Sequence, residues 1–385
     1  MFSDFDRRAM ARAVALAARG LETTDPNPRV GCVIARGEEI IGEGWHERAG
    51  EPHAEVNALR AAGPNAAGAT AYVTLEPCSH HGRTPPCADA LIAARLARVI
   101  FAVEDPNPRV SGRGAEALRQ AGIAVESGLL QAEAAELNPG FLKRMRRGRP
   151  WVRLKLAMSL DGRTALANGV SQWITGPAAR EDVQHWRARS SAIMTGIGTV
   201  LADDPRLNVR LADPSPGRPR RQPLRVVLDC SLRTPLDAKL LTGGGSVLIM
   251  TAARQDQSAV DHEKRRAGLL ERGAAIEEVS VSSEAASPAR LSLPEVLDGL
   301  GRREVNELWI ESGPRLAGDL LRQKLIDELL VYVAPKLLGP QARPLAEIEE
   351  VRDLSAAPGF VILDTCKVGD DVRLRLRPHP QHEQR

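Results

Sequence analysis

The chain has 385 residues, 43% of them apolar and 26% charged, which is ordinary for a folded globular protein and long enough for two separate cores. Its 52 basic against 49 acidic side chains leave a net charge of +3, and only 3% of residues are aromatic, so the composition offers neither the basic groove nor the stacking platform that nucleic acid needs. No apolar run is long enough to span a bilayer, the first residues lack the apolar region of a signal peptide, and five cysteines make no disulfide framework; a cytoplasmic protein is expected.

Residues 6–21 repeat apolar side chains at helical spacing, Met10, Val14, Ala17 and Ala18 on one side and arginines on the other, which predicts an amphipathic helix. Residues 30–35 and 39–44 flank Arg36-Gly37-Glu38 as two strands around a short turn. A helix over 55–62, a strand over 70–75, a helix over 88–96 and a strand over 99–103 follow, an alternation that implies a sheet covered by helices.

Within this stretch His53-Ala54-Glu55 is followed by Pro77-Cys78 and by Cys87. One imidazole and two thiolates suit zinc, and three protein ligands leave the fourth tetrahedral position to water, as in a catalytic site. Zinc deaminases add a glutamate that is not a ligand and carries the proton from the water to the departing nitrogen; Glu55 has that place. Their general signature has two residues between the cysteines, and this chain has eight. Both cysteines fall in a strand-to-helix connection, where a loop can return each thiolate to the metal. His80 and His81 lie between them as competing ligands, although His53, Cys78 and Cys87 already complete the set. Cys32, Cys230 and Cys366 sit in or beside apolar runs and read as small buried hydrophobes.

The string Asp-Pro-Asn-Pro-Arg-Val occurs at 25–30 and again at 105–110, with flanks that do not match. It reads either as turn chemistry or as a loop whose side-chain amide, Asn27 more than Asn107, meets the polar edge of a base. The basic run 143–150 ends in Gly, Arg and Pro and reads as a solvated linker at a domain boundary.

The pattern restarts with a strand over 151–158 and continues through strands near 192–195, 224–228, 247–250 and 308–311. Extended runs over 328–335, 360–368 and 372–376 predict an antiparallel close to a mostly parallel sheet, which offers a contact for a homo-oligomer. Residues 214–223 and 280–288 read as flexible surface insertions and 378–385 as a polar, disordered tail. No G-x-G-x-x-G follows a strand, so the Rossmann fingerprint is absent. Partial glycine signals stand at Thr195-Gly-Ile-Gly198-Thr199, Thr242-Gly-Gly-Gly245 and Glu311-Ser-Gly-Pro-Arg-Leu-Ala-Gly-Asp319; at strand ends such turns let the backbone approach a cofactor phosphate.

The stretches 25–31, 44–46, 50–56, 74–87 and 105–108 resemble the pyrimidine deaminase of riboflavin biosynthesis, and 155–164, 171–175 and 199–205 resemble its fused reductase partner. The resemblance covers nearly the whole chain, and the long cysteine spacing is that family's own. It implies an α/β protein with a three-layer, cytidine-deaminase-like domain over 1–147 and a dihydrofolate-reductase-like domain over 150–377. The implied activities are consecutive. The first is zinc-dependent hydrolytic removal of the exocyclic amine of 2,5-diamino-6-ribosylamino-4(3H)-pyrimidinone 5′-phosphate. The second is NADPH-dependent reduction of the ribosyl group of 5-amino-6-(5-phosphoribosylamino)uracil to ribityl. Glu55 would move the protons, and Asn27 and His46 would hold the pyrimidine.

By matching motif positions, the resemblance implies that Ala157, Ser171, Trp173, Thr199, Asp203 and Ser231 line the NADPH site. The turn Gly313, Pro314, Arg315, Leu316, Ala317, Gly318 and Asp319 would cradle the cofactor's phosphates, with Ser312-Gly313 standing where the family often has Gly-Gly. Arg187, Leu207 and Arg210 would hold the substrate, the arginines suiting a 5′-phosphate, with Glu311 facing it and Lys155 and Asp203 assisting hydride transfer. Two other readings stay open: a nucleoside or nucleic-acid deaminase with an accessory domain, disfavoured by charge and aromatic content, and a structural zinc beside a ligand-sensing module, disfavoured by Glu55.

Overall fold

In the computed structural model the first apolar stripe folds as α1 (Asp4–Ala17), and its start is fixed by a capping box in which Ser3 Oγ accepts from the Asp6 N–H and the Asp6 carboxylate accepts from the Ser3 N–H. Met10, Ala13 and Ala17 are buried, while Val14 and Ala18 stay half-exposed. The helix begins two residues before the expected 6–21 and ends in a tighter turn over Ala18–Gly20. The structure describes residues 1–79, 86–108, 110–213, 219–253, 259–282 and 290–379. His80, His81, Arg109, residues 214–218 and 283–288 of the two expected insertions and nearly all of the expected tail lie outside the described residues. Two units divide the chain, Met1–Arg149 and Pro150–Arg385.

In the first unit α1 is followed by β1 (Gly31–Arg36), β2 (Glu39–Trp45), α2 (Ala54–Ala62), β3 (Thr70–Leu75), α3 (Cys87–Ala93), β4 (Arg98–Val103), α4 (Arg113–Gln120), β5 (Ala124–Ser127), α5 (Gln131–Leu137) and α6 (Pro139–Arg147). The strands order as β2-β1-β3-β4-β5, with β1 antiparallel to both neighbours and the last two pairs parallel. Strand alternation splits the core: Cys32, Ile34 and Val73 face α2, α3 and α4, whereas Val33, Ala35 and Tyr72 face α1, α5 and α6. This is a three-layer sandwich. Helix α2 lies so close on β2 that a Cβ on Gly42 or Gly44 would stand 2.4 Å from the Ala58 backbone. The basic run is no linker. Lys143 to Arg147 form the last turns of α6, which Gly148 ends in a left-handed conformation.

The second unit runs β6 (Trp151–Ser159), β7 (Arg163–Ala165), α7 (Pro177–Arg189), β8 (Ala192–Gly196), α8 (Ile197–Asp203), β9 (Leu224–Leu228), β10 (Val247–Ala252), α9 (Ala259–Glu271), β11 (Ala274–Val279), α10 (Leu293–Arg302), β12 (Glu307–Glu311), α11 (Pro314–Arg322), β13 (Glu328–Ala334), β14 (Arg343–Pro344), β15 (Phe360–Val368) and β16 (Asp371–Pro378). Nine strands form one sheet in the order β11-β10-β9-β8-β12-β6-β13-β16-β15, parallel through β13 and antiparallel over the last two pairs. The antiparallel close expected from the extended C-terminal runs is present. A small sheet joins β7 to β14. Arg153 is fully buried in the middle of the large sheet, where Glu307 and Glu328 accept its donors at 2.8 and 3.0 Å and Arg375 also reaches Glu328. Trp186 stacks on Trp309 beneath this network, with ring centroids 6.1 Å apart. Of the three cysteines read as buried hydrophobes only Cys32 is buried. Cys230 follows β9 at the rim of a cavity and Cys366 lies on the open edge strand, so both are half-exposed.

Candidate functional sites

The first site gathers at two helix starts. His53 caps α2 with extended backbone yet makes no side-chain cap bond, because its ring turns to the cysteines: Nδ1 lies 3.1 Å from Cys87 Sγ and 3.7 Å from Cys78 Sγ. Cys87 opens α3, and its N–H donates to Cys78 Sγ at 3.3 Å. The three ligand atoms lie within 4.8 Å of one another, and among the described residues no other His, Cys and carboxylate group is so arranged. Two sulfurs and an imidazole at this spacing fit one tetrahedral zinc ion. The thiols titrate as a pair. Hydrogen bonds from Cys87 and His53 favour the Cys78 thiolate against burial, while donating that bond, burial and the Glu55 charge push Cys87 up.

Glu55 sits in the first turn of α2, buried beside the ligands, and burial raises its carboxyl above the ordinary range. His46 is also buried, its ring edge-on to His53 at 5.3 Å. Its Nδ1 lies 3.1 Å from the Pro52 carbonyl, which can only accept, so that nitrogen carries the proton. Nε2 then accepts from the Asn27 side-chain amide at 3.1 Å. Asn27 and His46 thus form one hydrogen-bonded pair beside His53.

Glu76, which sequence reasoning missed, is buried and accepts the backbone N–H groups of Asp105 (3.3 Å), Gly112 (3.0 Å) and Ala115 (3.2 Å). It ties the second Asp-Pro-Asn-Pro copy to the strand end that carries Cys78. Its only signal was a carboxylate just before Pro77-Cys78. Asn107 belongs to a turn, with its N–H on the Asp105 carboxylate at 2.8 Å. In the first copy Arg29 is buried and donates to the Leu137 and Leu21 carbonyls, so the repeated string is used in two ways.

The second site is a cavity of about 1530 Å³ at the C-terminal ends of β6, β8, β9 and β12, where open parallel sheets place their ligands. Ala157, Ser171, Trp173, Thr199, Asp203 and Ser231 all line it. Ser171 Oγ donates to Asp203 at 3.4 Å, and Lys336 Nζ holds the Trp173 and Ile174 carbonyls at 3.0 and 2.8 Å. Of the expected phosphate turn, Gly313, Pro314, Arg315, Leu316 and Asp319 face the cavity. Ala317 and Gly318 do not. The helical turn points Ala317 into the core, and a Cβ on Gly318 would stand 1.9 Å from the Glu347 carbonyl oxygen. Gly198 and Gly313 have no neighbouring protein atom within 4 Å of where a Cβ would stand, so the room they leave opens on the cavity and fits a close-lying cofactor.

At the other end of the cavity Glu311 accepts from Arg187 Nε (2.6 Å), Arg187 Nη2 (2.9 Å) and Trp309 Nε1 (2.8 Å). Burial works to raise this carboxyl, but Arg187 and Lys155 outweigh it and hold the pKa at about 2. Lys155 is pulled below the ordinary lysine range by burial, against the attraction of Glu311. The third arm of Arg187 donates to the Asn208 carbonyl at 3.0 Å. This revises the expectation of a phosphate clamp: the fork of Arg187 is spent on Glu311, and Arg210, exposed with Nη1 on the Asn208 side chain at 3.2 Å, is the arginine that can turn to a phosphate. Leu207 lines the cavity but is itself buried among Trp186, Trp309 and Tyr332.

Residues 150–374 match the RibD C-terminal domain, and residues 3–103 match the cytidine and deoxycytidylate deaminase zinc-binding region. The riboflavin biosynthesis protein RibD of Escherichia coli K12 is 50% identical over 378 residues, covering 96% of this chain and 99% of that one. A solved structure of Acinetobacter baumannii RibD superposes with a TM-score of 0.88 at 46% identity, covering 97% of this chain and 99% of the other. A diaminohydroxyphosphoribosylaminopyrimidine deaminase/5-amino-6-(5-phosphoribosylamino)uracil reductase from Thermotoga maritima superposes with a TM-score of 0.81 at 31% identity, over 97% and 99% of the two chains. The chain therefore belongs to the RibD family, bifunctional enzymes of riboflavin biosynthesis that join a zinc-dependent pyrimidine deaminase to an NADPH-dependent reductase.

Proposed function

We propose that residues 1–147 deaminate 2,5-diamino-6-ribosylamino-4(3H)-pyrimidinone 5′-phosphate and that residues 150–377 reduce the ribosyl group of the product, 5-amino-6-(5-phosphoribosylamino)uracil, to ribityl. The observation that carries the first assignment is the meeting of His53, Cys78 and Cys87 within 4.8 Å beside buried Glu55. Zinc held by these three supplies the Lewis acidity that makes water a nucleophile at neutral pH. Glu55 takes a proton from the attacking water and gives it to the amine nitrogen, so that ammonia leaves and a carbonyl remains. Its raised proton affinity suits it to hold that proton between the two steps. Asn27 and His46, already bonded to each other, hold the ring edge.

In the second unit NADPH supplies the hydride, and this chain's residues position and protonate. Arg210 meets the 5′-phosphate, while the Arg187–Glu311 pair keeps a fixed carboxylate toward the sugar. Lys155, with its lowered proton affinity, gives up a proton more readily than an exposed lysine and is the donor we assign. Asp203, hydrogen-bonded to Ser171, and Thr199 line the nicotinamide end. The partners are small pyrimidine ribotides. With a net charge of +3 and no described helix long and apolar enough to cross a membrane, neither nucleic acid nor bilayer is a partner in this reading. Copies assemble through β15, an edge strand that exposes Val361, Ile362 and Leu363 in succession.

Zinc content and both half-reactions test the assignment. Cys87→Ser loses zinc and ammonia release yet still oxidises NADPH when given the deaminated intermediate; a variant that keeps full deamination without zinc contradicts it.

A further inference from the structure

We propose that Glu76 is a positioning residue of the metal site: it fastens the strand end that carries Cys78 to the first turn of α4, and so sets where one of the two thiolates stands. The inference rests on the zinc reading above and deepens it. The need for such a fastening is visible in the spacing. Where two residues separate paired cysteines one helical turn can place both, but here eight separate them and only Cys87 belongs to α3. Two bonds from the start of α3 reach Cys78, the Ala88 N–H on its carbonyl at 3.1 Å and the Cys87 N–H on its sulfur at 3.3 Å. Neither holds the chain that leads into Cys78.

That chain is held by α4. Buried Glu76 accepts the N–H groups of Asp105 and Gly112 on Oε2, at 3.3 and 3.0 Å, and that of Ala115 on Oε1, at 3.2 Å. Gly112 is the N-cap of α4 and Ala115 its third residue, the two positions whose donors a capping box satisfies. Gly112 has no side chain to offer, so α4 takes its cap from the end of β3, and a carboxylate there also meets the positive end of the helix. Between them Gly114 lies so close to the strand end that a Cβ on it would stand 1.9 Å from the Pro77 carbonyl oxygen. Glu76 and Pro77 therefore dock on the same turn. The proline ring fixes its own φ, which leaves one torsion fewer between the docked carboxylate and Cys78. On the other side the Glu76 N–H donates to the Val103 carbonyl at 2.9 Å, so the residue is fixed from β4 as well. A shift of the first turn of α4 is passed through this short path to the Cys78 sulfur. A cap with no such role would cost stability when removed and leave the metal alone.

Three measurements test this: zinc Kd by competition with a chromophoric chelator, the visible spectrum of the Co²⁺-substituted chain, and the melting temperature of the metal-free chain. They are made on the full wild-type chain, Glu76→Gln, Gly114→Ala and Tyr72→Phe. Glu76→Gln keeps the size of the side chain but turns an amide NH₂, a donor, against backbone donors. It weakens zinc about ten- to hundredfold, the range for groups that orient metal ligands from behind, and lowers the thiolate-to-cobalt absorption. Gly114→Ala leaves Glu76 in place and shows the same two changes, because the added methyl pushes α4 off Pro77. Tyr72→Phe removes a hydrogen bond to Asp6 on the opposite face of the sheet; it lowers the melting temperature and leaves zinc and cobalt binding as in the wild type. Wild-type zinc affinity in Glu76→Gln, or an equal loss in Tyr72→Phe, overturns the positioning role. Should Glu76→Gln not fold, Gly114→Ala decides in its place. A wild-type chain that binds no zinc overturns the zinc reading itself.

Discussion

The two sites are assembled by opposite means. The first takes four side chains from two helix starts and one loop within 35 residues of chain, and its chemistry is a ligand set of fixed spacing beside one carboxylate. The second collects its groups from the ends of four parallel strands, and its charges reach each other across more than a hundred residues, as Arg187 and Glu311 do. The cores differ in the same way. One face of the first unit's sheet packs mainly alanines and aliphatic side chains and the other adds Phe5, Tyr72 and Phe141, while the second unit threads fully buried ion pairs through its middle. A local constellation depends on ligand identity, whereas a dispersed one depends on the charge balance of the sheet that supports it.

That contrast can be broken at the sheet. Glu328→Ala leaves Arg153 and Arg375 short of a partner in the core and costs the second unit about 3 to 5 kcal/mol, by urea unfolding, while the first unit melts as before. A loss under about 1 kcal/mol would mean that the buried network is ornamental. Acid gives a smaller, graded test. Glu311 and Glu328 each have a pKa of about 2 in the folded chain against an ordinary 4.5, so between those values the unfolded chain binds more protons. Their contribution to stability is full above pH 4.5 and is lost as pH falls toward 2. Melting temperatures of the second unit should drop across that window, and a flat profile there counts against the pairing. Smallest is the edge: Ile362→Asp changes the folded monomer by under about 0.5 kcal/mol but lowers the assembled mass in light scattering if β15 is the contact.

Sequence patterns carried the first unit further than the second. The apolar run before a short turn at 30–35 and the strand pattern at 70–75 announced β1 and β3, and the His-x-Glu and Pro-Cys spacing announced the residues that converge. Helices α4 to α6 went unread because their apolar faces are short and interrupted by charge. In the second unit α7 was invisible for a related reason. Its sequence is dominated by Arg, Glu, Asp and His, and its buried side is set by Trp186 stacking on Trp309, a partner more than a hundred residues away. Matching motif positions named the cavity residues but not their pairing, so Arg187 looked free for a phosphate until Glu311 was found in its fork. Ala317 and Gly318 were misplaced for a simpler reason: a seven-residue run was treated as one face, and a helix turns two of those residues inward.

The central claim is that one chain holds two chemically independent sites, the first driven by Glu55. Ammonia release and NADPH oxidation measured side by side on Glu55→Gln test it most directly. The variant should keep its zinc, lose about two to four orders of magnitude in ammonia release from the diaminopyrimidine ribotide, and oxidise NADPH at the wild-type rate when given the deaminated intermediate. Normal ammonia release by that variant, or loss of NADPH oxidation with the intermediate supplied, would contradict it.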